Sequence, residues 1–287
     1  MWPRWGVGEW WRSVMIAGAV VAGTSFFSAN HVSAQSLTDG PPADVDVPVY
    51  GWRETWAGVD VAHDQWLFYS GLTVAPASRD IYSDGWRLRI GGGYGQYGYE
   101  GLGQRAPCGD ATKNDRCTER NRPTQHYTVS HAYAELLLGY YLRLGALTAK
   151  AFAGASLSDE RHLVVDPQND DDGTYVGAKG VLELLLNVSE QTWTSLDLSY
   201  ATARDETSAR WRAGWRIQPQ LSIGPELRYD KNIETDDGEW NGRAGLFVRY
   251  EWTGGEVSLA GGWSSRIEDW KAPDMSPYGT LNVLFQF

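Results

Sequence analysis

Apolar and polar residues alternate along most of the chain from Trp52 onward, which is the pattern of strands with two different faces. No stretch shows a convincing helical periodicity. The alternation therefore predicts an all-β fold of about 12 strands. The predicted strands are residues 55–62, 65–74, 85–99, 126–142, 146–158, 174–188, 192–204, 207–217, 221–231, 239–252, 255–266 and 278–287.

The connections between these strands differ in length in a regular way. Four are tight, at residues 143–145, 189–191, 218–220 and 253–255, whereas most of the others are long, polar and often acidic. Short periplasmic turns and longer external loops, with an even number of strands, are typical of bacterial outer-membrane barrels. Two connections break the rule, since residues 63–64 are short where a long loop is expected and residues 75–84 are long where a turn is expected.

Residues 210–217 indicate which row of side chains would face lipid. One row holds Trp211, Ala213, Trp215 and Ile217, and the other holds Arg210, Arg212, Gly214 and Arg216. A cationic side chain facing hydrocarbon costs about 2–4 kcal/mol at the bilayer midplane. The arginine row is therefore expected to face the lumen of an antiparallel up-and-down transmembrane β-barrel. A soluble barrel, in which the Trp row would fill the interior, is the strongest alternative.

The C-terminus supports the membrane interpretation. The last strand carries one apolar row, formed by Leu281, Val283, Phe285 and Phe287. In a soluble protein such an end would expose apolar surface and an unpaired strand edge. We expect this segment to be the strand that closes the barrel.

The N-terminus has the features of a secretory signal peptide. Arg4 and Arg12 precede an uncharged stretch from Ser13 to Phe27, and Ala34 ends a small-residue cleavage motif. A membrane anchor is the alternative, but the stretch is short for a bilayer span and rich in Gly, Ala and Ser. The predicted organisation is a signal peptide at 1–34, an N-terminal linker at 35–51 and an outer-membrane β-barrel at 52–287.

The composition of the chain limits the classes of partner and ligand that we expect. The chain has a net charge of −11, which argues against nucleic acid because phosphate binding requires clustered Lys and Arg. It contains 15 Trp and 15 Tyr, residues that favour interfaces between apolar and wet surroundings. Cys108 and Cys117 lie in one polar segment, and in an exported protein they are expected to form a disulfide. Two cysteines without further ligands make a zinc site improbable.

The row predicted to face the lumen is rich in charged residues. The candidates are Arg87, Arg89, His131, Glu135, Lys150, Lys179, Glu183, Asp197, Arg210, Arg212, Arg216, Glu226, Arg228, Asp230, Arg243 and Arg249, with a cationic excess between 210 and 249. Two interpretations stay open: a plugged lumen stabilised by salt bridges, or a narrow pore for anionic or sugar-like solutes. Twelve strands give a bore between that of filled eight-stranded barrels and that of open porins. One extended sugar chain would fit such a bore, whereas a bundle would not.

The sequence offers little support for catalysis. His131, Tyr133 and Glu135 share the lumen row, but Ser130 points to the opposite face and no nucleophile motif is found. Polar residues in a hydrogen-bonded network explain this cluster better. We therefore predict no catalytic residues.

Two further motifs resemble ligand sites only in part. The segment GGGYGQYG at 91–98 lacks the Lys-Ser/Thr and the helix of a phosphate-binding loop. The segment NDDDG at 169–173 lacks the ligand spacing of a defined calcium loop. No cofactor or metal is therefore predicted.

The segments TWAGVDVAHDQWLFYSGLTVAP and DGWRLRIGGGYGQYGYEG resemble the alphaproteobacterial cellulose biosynthesis protein BcsS family. The residues that carry the likeness are Trp56, Gly58, Asp60, Tyr69–Gly71, Asp84–Gly85, Leu88–Arg89 and Gly91–Tyr94, and it extends over Trp52–Phe287. The resemblance implies a connection with cellulose synthesis and export, and it carries no enzyme reaction. Together with the predicted barrel, it leads us to expect a non-enzymatic outer-membrane accessory of cellulose biosynthesis or export, acting as a scaffold or narrow passage. Its expected partners are outer-membrane lipid and the cellulose-synthesis machinery or the cellulose chain. The alternatives are a small-solute or anion channel and an outer-membrane enzyme that modifies lipid or glycan.

Overall fold

The computed structural model describes residues 51–102, 124–166, 172–231, 240–267 and 274–287. The predicted signal peptide, nearly all of the linker, both cysteines and most of the acidic segment 169–173 lie outside these residues. The signal peptide and the disulfide therefore stay predictions. In the described part of the chain, no helix has the length and apolar character needed to cross a bilayer.

The described residues form twelve antiparallel strands in one closed barrel. Each strand pairs with its neighbours in sequence, and β1 pairs with β12 to close the ring. The strands are β1 (Arg53–Ala62), β2 (Gln65–Val74), β3 (Gly85–Leu102), β4 (Thr124–Leu144), β5 (Leu147–His162), β6 (Gly173–Asn187), β7 (Thr192–Ala201), β8 (Glu206–Gln218), β9 (Leu221–Lys231), β10 (Trp240–Trp252), β11 (Gly255–Ile267) and β12 (Asp274–Gln286).

The predicted all-β barrel is confirmed, and the largest differences lie at strand ends. β12 begins at Asp274 instead of residue 278, because Met275 and Pro277 still pair with β11. Proline lacks an N–H and is unusual inside a sheet, yet Pro277 lies opposite Trp263 within β12. β7 ends at Ala201, before a turn in which Asp205 adopts a positive φ of 52°.

The two ends of the barrel differ in their connections. The end that carries Gly51 and Phe287, called here the terminal end, has tight turns between β4 and β5, β8 and β9, and β10 and β11. The opposite end, called the loop end, includes the two-residue turn His63–Asp64, where Asp64 has a φ of 60°. Asn and Asp tolerate this left-handed conformation better than most residues, which explains how so short a connection forms there.

The distribution of side chains is inverted relative to a soluble protein. Leu246 and Trp263 are 69% and 61% exposed on the outside, whereas Arg87 and Glu226 are 1% and 0% exposed on the inside. Water-soluble barrels bury the apolar row and leave the charged row outside. The fold is therefore that of a transmembrane β-barrel, with apolar residues facing out and polar residues facing in.

Candidate functional site

A cavity of about 1540 Å³ lies inside the barrel. Its lining extends from His63 and Gly101 at the loop end to Tyr82 and Gln286 at the terminal end. Small-molecule sites typically occupy roughly 300–1,000 Å³. The lumen thus has room for an elongated ligand.

One carboxylate links strands across the lumen. Asp60 on β1 accepts hydrogen bonds from Arg228 on β9 at 2.5 Å and from Arg243 on β10 at 2.7 Å. The hydroxyl of Thr280 also donates to Asp60, at 3.3 Å. In the order of strands around the barrel, β11 and β12 stand between β10 and β1. The two arginine contacts therefore connect strands that share no backbone pairing, whereas Thr280 lies opposite Asp60 on the paired strand β12.

Three further arginines of β8 and β10 are also paired with acids. Arg210 donates to Asp197 at 2.7 Å. Arg212 donates to the fully buried Glu226 at 2.6 Å. Arg249 contacts Glu251 at 2.6 Å and also binds Glu256. The cationic residues between 210 and 249 are thus largely neutralised within the lumen.

A second charged network lies on the wall formed by β3 to β6. Arg89 on β3 contacts Glu183 on β6 at 2.7 Å. Lys150 on β5 lies 3.6 Å from Glu183 and 3.9 Å from Glu54 on β1. Nearby, Lys179 donates to Glu135 at 2.6 Å. This network again joins strands that are not neighbours in the sheet.

His131 belongs to a buried network nearer the loop end. Its Nδ1 lies 2.9 Å from Glu160, which also accepts hydrogen bonds from Tyr97 and Arg204 at 2.9 Å each. Ser130 instead donates to the backbone carbonyl of Arg161. Among the described residues, the contacts of His131 are therefore those of a hydrogen-bonded network and include no serine nucleophile.

A similar chain of contacts holds the end of β5. The Tyr99 hydroxyl lies 2.9 Å from Nε2 of His162 and donates to Asp166 at 2.7 Å. Asp172, which lies outside the strands, accepts from the backbone N–H of His162 and contacts its ring, both at 2.6 Å. These hydrogen bonds lower the pKa of the Asp172 carboxyl below its usual range. The contacts of Tyr99 hold the end of β5 to β3, and those of Asp172 hold it to the residue that precedes β6.

Arg87 and Arg216 stabilise connections at the terminal end. Arg87 donates to the carbonyl of Ile81 at 2.7 Å and also binds the carbonyl of Ser83. Arg216 donates to Asn187 at 2.8 Å and to the carbonyl of Glu190 at 3.0 Å. Both guanidinium groups therefore bind backbone or amide oxygens of turns.

The connection 75–84 extends one side chain into the lumen. Its backbone is held by Ala75 and Ile81, whose N–H groups donate to Trp52 and Gly51 at 2.8 and 3.1 Å. Tyr82 lines the cavity and makes an edge contact with Tyr141 at a centroid distance of 6.5 Å. Its hydroxyl accepts a hydrogen bond from Gln286. Tyr82 consequently narrows the terminal end of the lumen.

Sequence reasoning missed the acids that neutralise the cations. They are Glu54, Asp60, Glu160, Glu251 and Glu256. Strict alternation would have found some of them, because Glu251 is two residues after Arg249 on the same strand. On β1 and β11 no arginine row marked the inward face, so the alternation alone gave a weaker signal. Among the described residues, no group of three or more His, Cys, Asp or Glu is arranged to hold a metal ion.

Several solved structures are similar to this chain at low identity. The KdgM porin has 10% identity and a TM-score of 0.42, with 82% of this chain and 99% of that chain covered. The TodX deltaS2S3 mutant monoaromatic hydrocarbon channel has 8% identity and a TM-score of 0.47, with 82% and 90% covered. The translocator domain of the autotransporter NalP from Neisseria meningitidis has 11% identity and a TM-score of 0.41, with 98% and 96% covered. At these values the fold rests on the strand pairing above, and no function is transferred.

The family is identified by a comparison of the sequence with family models, and not by the structural similarities above. A comparison with curated proteins finds no match. The family model of the cellulose biosynthesis protein BcsS matches residues 55–287, which include all of the barrel except the first two residues of β1. The chain therefore belongs to the cellulose biosynthesis protein BcsS family.

Proposed function

We propose that this member of the BcsS family is a non-enzymatic outer-membrane accessory of bacterial cellulose biosynthesis, in which the lumen holds or passes a single glucan chain. The family supplies the connection with cellulose. The observation that carries the proposal is the cavity of about 1540 Å³, whose lining reaches both ends of the barrel. An elongated polymer suits such a space better than a compact metabolite does.

The exposed apolar residues on the outer surface of the barrel support the proposed location in the outer membrane. Exposed Leu, Ile, Trp and Tyr side chains cover the strands, and a hydrated surface of this kind would be an aggregation hazard. Lipid around the barrel removes that hazard, and a barrel has no free strand edge inside the bilayer. A cleaved signal peptide at 1–34 would provide the export that this location requires.

The ion pairs favour a neutral ligand over an anion. An anion channel needs cations whose charge is available to the solute. Arg210, Arg212 and Arg243 instead have carboxylate partners at 2.6–2.7 Å. The hydroxyl groups of an uncharged sugar can exchange hydrogen bonds with such pairs without adding net charge. An enzymatic role is disfavoured because Ser130, the serine adjacent to His131 in the sequence, donates to the backbone carbonyl of Arg161 instead.

The proposal is tested by deleting the gene and measuring extracellular cellulose by dye binding while the synthase is active. We expect less cellulose or disordered fibres, with recovery when the wild-type gene is supplied. A normal amount and normal fibre organisation in the deletion strain would refute the role in cellulose production.

Two matched variants address the lumen itself. Ser258 is buried and lines the cavity, whereas its neighbour Leu259 is exposed on the outer wall. Ser258→Trp should obstruct the lumen and fail to restore cellulose, whereas Leu259→Trp should restore it. The comparison uses only cells in which both variants form heat-modifiable barrels in equal amount. Full recovery with Ser258→Trp would show that the lumen is not the working part.

A further inference from the structure

The indole of Trp56 packs against the inner wall of the barrel at two glycines. A Cβ atom at Gly71 would stand 2.2 Å from Cζ2 of this indole, and one at Gly91 would stand 3.1 Å from Cη2. Both glycines belong to neighbouring strands, so their missing side chains leave the space that the ring occupies. Trp56 is only partly buried and lines the cavity. The ring therefore packs on the two glycines of the wall and keeps part of its surface open to the lumen.

Two tyrosines have the same arrangement beside it. A Cβ at Gly58 would stand 2.5 Å from Cζ of Tyr69, and one at Gly93 would stand 2.5 Å from Cε1 of Tyr133. Both tyrosines line the cavity. The centroids of the Trp56 and Tyr69 rings are 6.2 Å apart. We call Trp56, Tyr69 and Tyr133 the aromatic floor.

Polar groups border the aromatic floor. The Tyr69 hydroxyl donates to Oδ1 of Asn282, whose Nδ2 has no hydrogen-bond partner among the described residues. Glu135 lies beside Trp56, because its Oε1 is 3.2 Å from the Cβ position of Gly91. Lys179 binds Glu135 at 2.6 Å and lies 5.4 Å from the centroid of the Tyr133 ring. The border thus offers amide, hydroxyl and carboxylate groups whose charges are balanced.

We propose that the aromatic floor is a binding subsite for the pyranose rings of a neutral glucan chain inside the lumen. A pyranose ring has an apolar C–H face that packs on an aromatic ring, and equatorial hydroxyls that form hydrogen bonds at its edges. Aromatic side chains with a few convergent polar groups are the usual composition of a small-molecule site. An anionic sugar polymer fits less well, since Lys179, the cation beside the Tyr133 ring, is already paired with Glu135. This inference rests on the proposed function and names the ligand and the surface that binds it.

Calorimetric titration of the purified, folded barrel with cellopentaose tests the subsite directly. We expect binding by the wild type, weaker binding of an anionic oligogalacturonate of the same length, and about tenfold loss of cellopentaose affinity in Trp56→Ala. The matched control is Trp215→Ala, because Trp215 is exposed on the outer wall. That variant should bind as the wild type does.

A second pair of variants separates stacking from folding. Tyr133→Phe retains the ring and should keep most of the affinity, whereas Tyr133→Leu should lose it. Each variant is first tested for heat-modifiable mobility, and this pair decides the matter if Trp56→Ala does not fold. Absence of cellopentaose binding by the wild type would overturn the inference. Unchanged affinity in folded Trp56→Ala, or in Tyr133→Leu, would also overturn it, because the rings would then only cover the glycines.

The outcome can be distinguished from that of the cellulose assay. Loss of cellulose in the deletion strain, together with no cellopentaose binding in vitro, would leave the proposed function standing and remove the subsite. Specific binding in vitro with normal cellulose in the deletion strain would refute the proposed function and leave the subsite standing.

Discussion

Arg243 on β10 donates a hydrogen bond to Asp60 on β1 at 2.7 Å, although the two residues are 183 positions apart in the chain. Arg228 on β9 binds the same carboxylate. The backbone ladder between β1 and β12 closes the sheet, and these side chains add a second connection across the lumen. Asp60 is buried at the centre of both contacts. Closure of the barrel is therefore expected to depend on one acidic side chain.

Asp60→Asn tests this dependence. The substitution keeps the shape of the side chain but removes the carboxylate shared by Arg228 and the buried Arg243, which retain only longer contacts with Asp230 at 3.6 and 3.9 Å. Removing one partner of a buried ion pair typically costs about 3–5 kcal/mol. We expect a lower urea concentration at the midpoint of unfolding, measured by loss of the compact, heat-modifiable form.

Asp64→Asn is the matched control for the same chemical change. Asp64 lies in the exposed turn after β1 at a φ of 60°, a conformation that Asn also tolerates. Its unfolding midpoint should equal that of the wild type. Equal midpoints for Asp60→Asn and Asp64→Asn would contradict the role of Asp60.

The fold was predictable because barrel strands impose a period of two over many residues. Residues 207–217 and 239–252 carry that period with arginines on one face and aromatic residues on the other, which indicated both the strands and their facing. The pairing of Asp60 with Arg228 and Arg243 was not predictable. It depends on the stagger of the strands around the closed sheet, which no local pattern records. The position of Tyr82 was also missed, because an irregular connection has no period from which a direction can be inferred.

The close packing of Trp56 on glycine makes Gly71 sensitive to substitution. In Gly71→Ala the new Cβ would lie 2.2 Å from the Trp56 ring and 2.7 Å from the carbonyl oxygen of Ile90. Overpacking of this kind usually costs about 1–3 kcal/mol. We expect less folded barrel in the membrane fraction and a lower unfolding midpoint.

Gly180→Ala provides the control, since nothing lies within 4 Å of the Cβ position at Gly180. Gly180 is also in a strand interior, so both variants change the backbone freedom of the chain similarly. The control should assemble at least as well as the wild type. Equal behaviour of the two variants would show that the contact with Trp56 is readily relieved.

Tyr82 should restrict passage at the terminal end of the lumen. Tyr82→Ala removes a ring that lines the cavity, and we expect a higher single-channel conductance in planar bilayers. Tyr140→Ala is the control, because Tyr140 is exposed on the outer wall. Identical conductance in Tyr82→Ala and the wild type would place the narrowest point elsewhere.

The two cysteines make a prediction that is independent of the barrel interior. Cys108 and Cys117 are expected to be oxidised to a disulfide after export. Thiol labelling of the unreduced, denatured protein should modify neither residue, and labelling after reduction should modify both. Modification of both without reduction would end the claim.

Phe287 completes the ladder that closes the barrel. Its N–H donates to the carbonyl of Arg53 at 3.0 Å, and its carbonyl accepts from the N–H of Arg53 at 3.1 Å. The Arg53 guanidinium also lies 4.9 Å from the centroid of the Phe287 ring, within the range of a cation–π contact. Deleting Phe287 removes this whole set of contacts at the edge where β1 and β12 must meet. We therefore expect less heat-modifiable barrel in the outer membrane at low expression.

Phe287→Ala separates the ring from the backbone, because it keeps both hydrogen bonds and loses only the ring contacts. It should assemble better than the deletion and less well than the wild type. Val188→Ala, an exposed apolar truncation outside the strands between β6 and β7, is the control and should assemble normally. If the deletion assembled as well as this control, strand closure would not depend on the last residue. A defect in Phe287→Ala as large as that of the deletion would assign the effect to the aromatic ring, since the backbone pairing with Arg53 would still be intact.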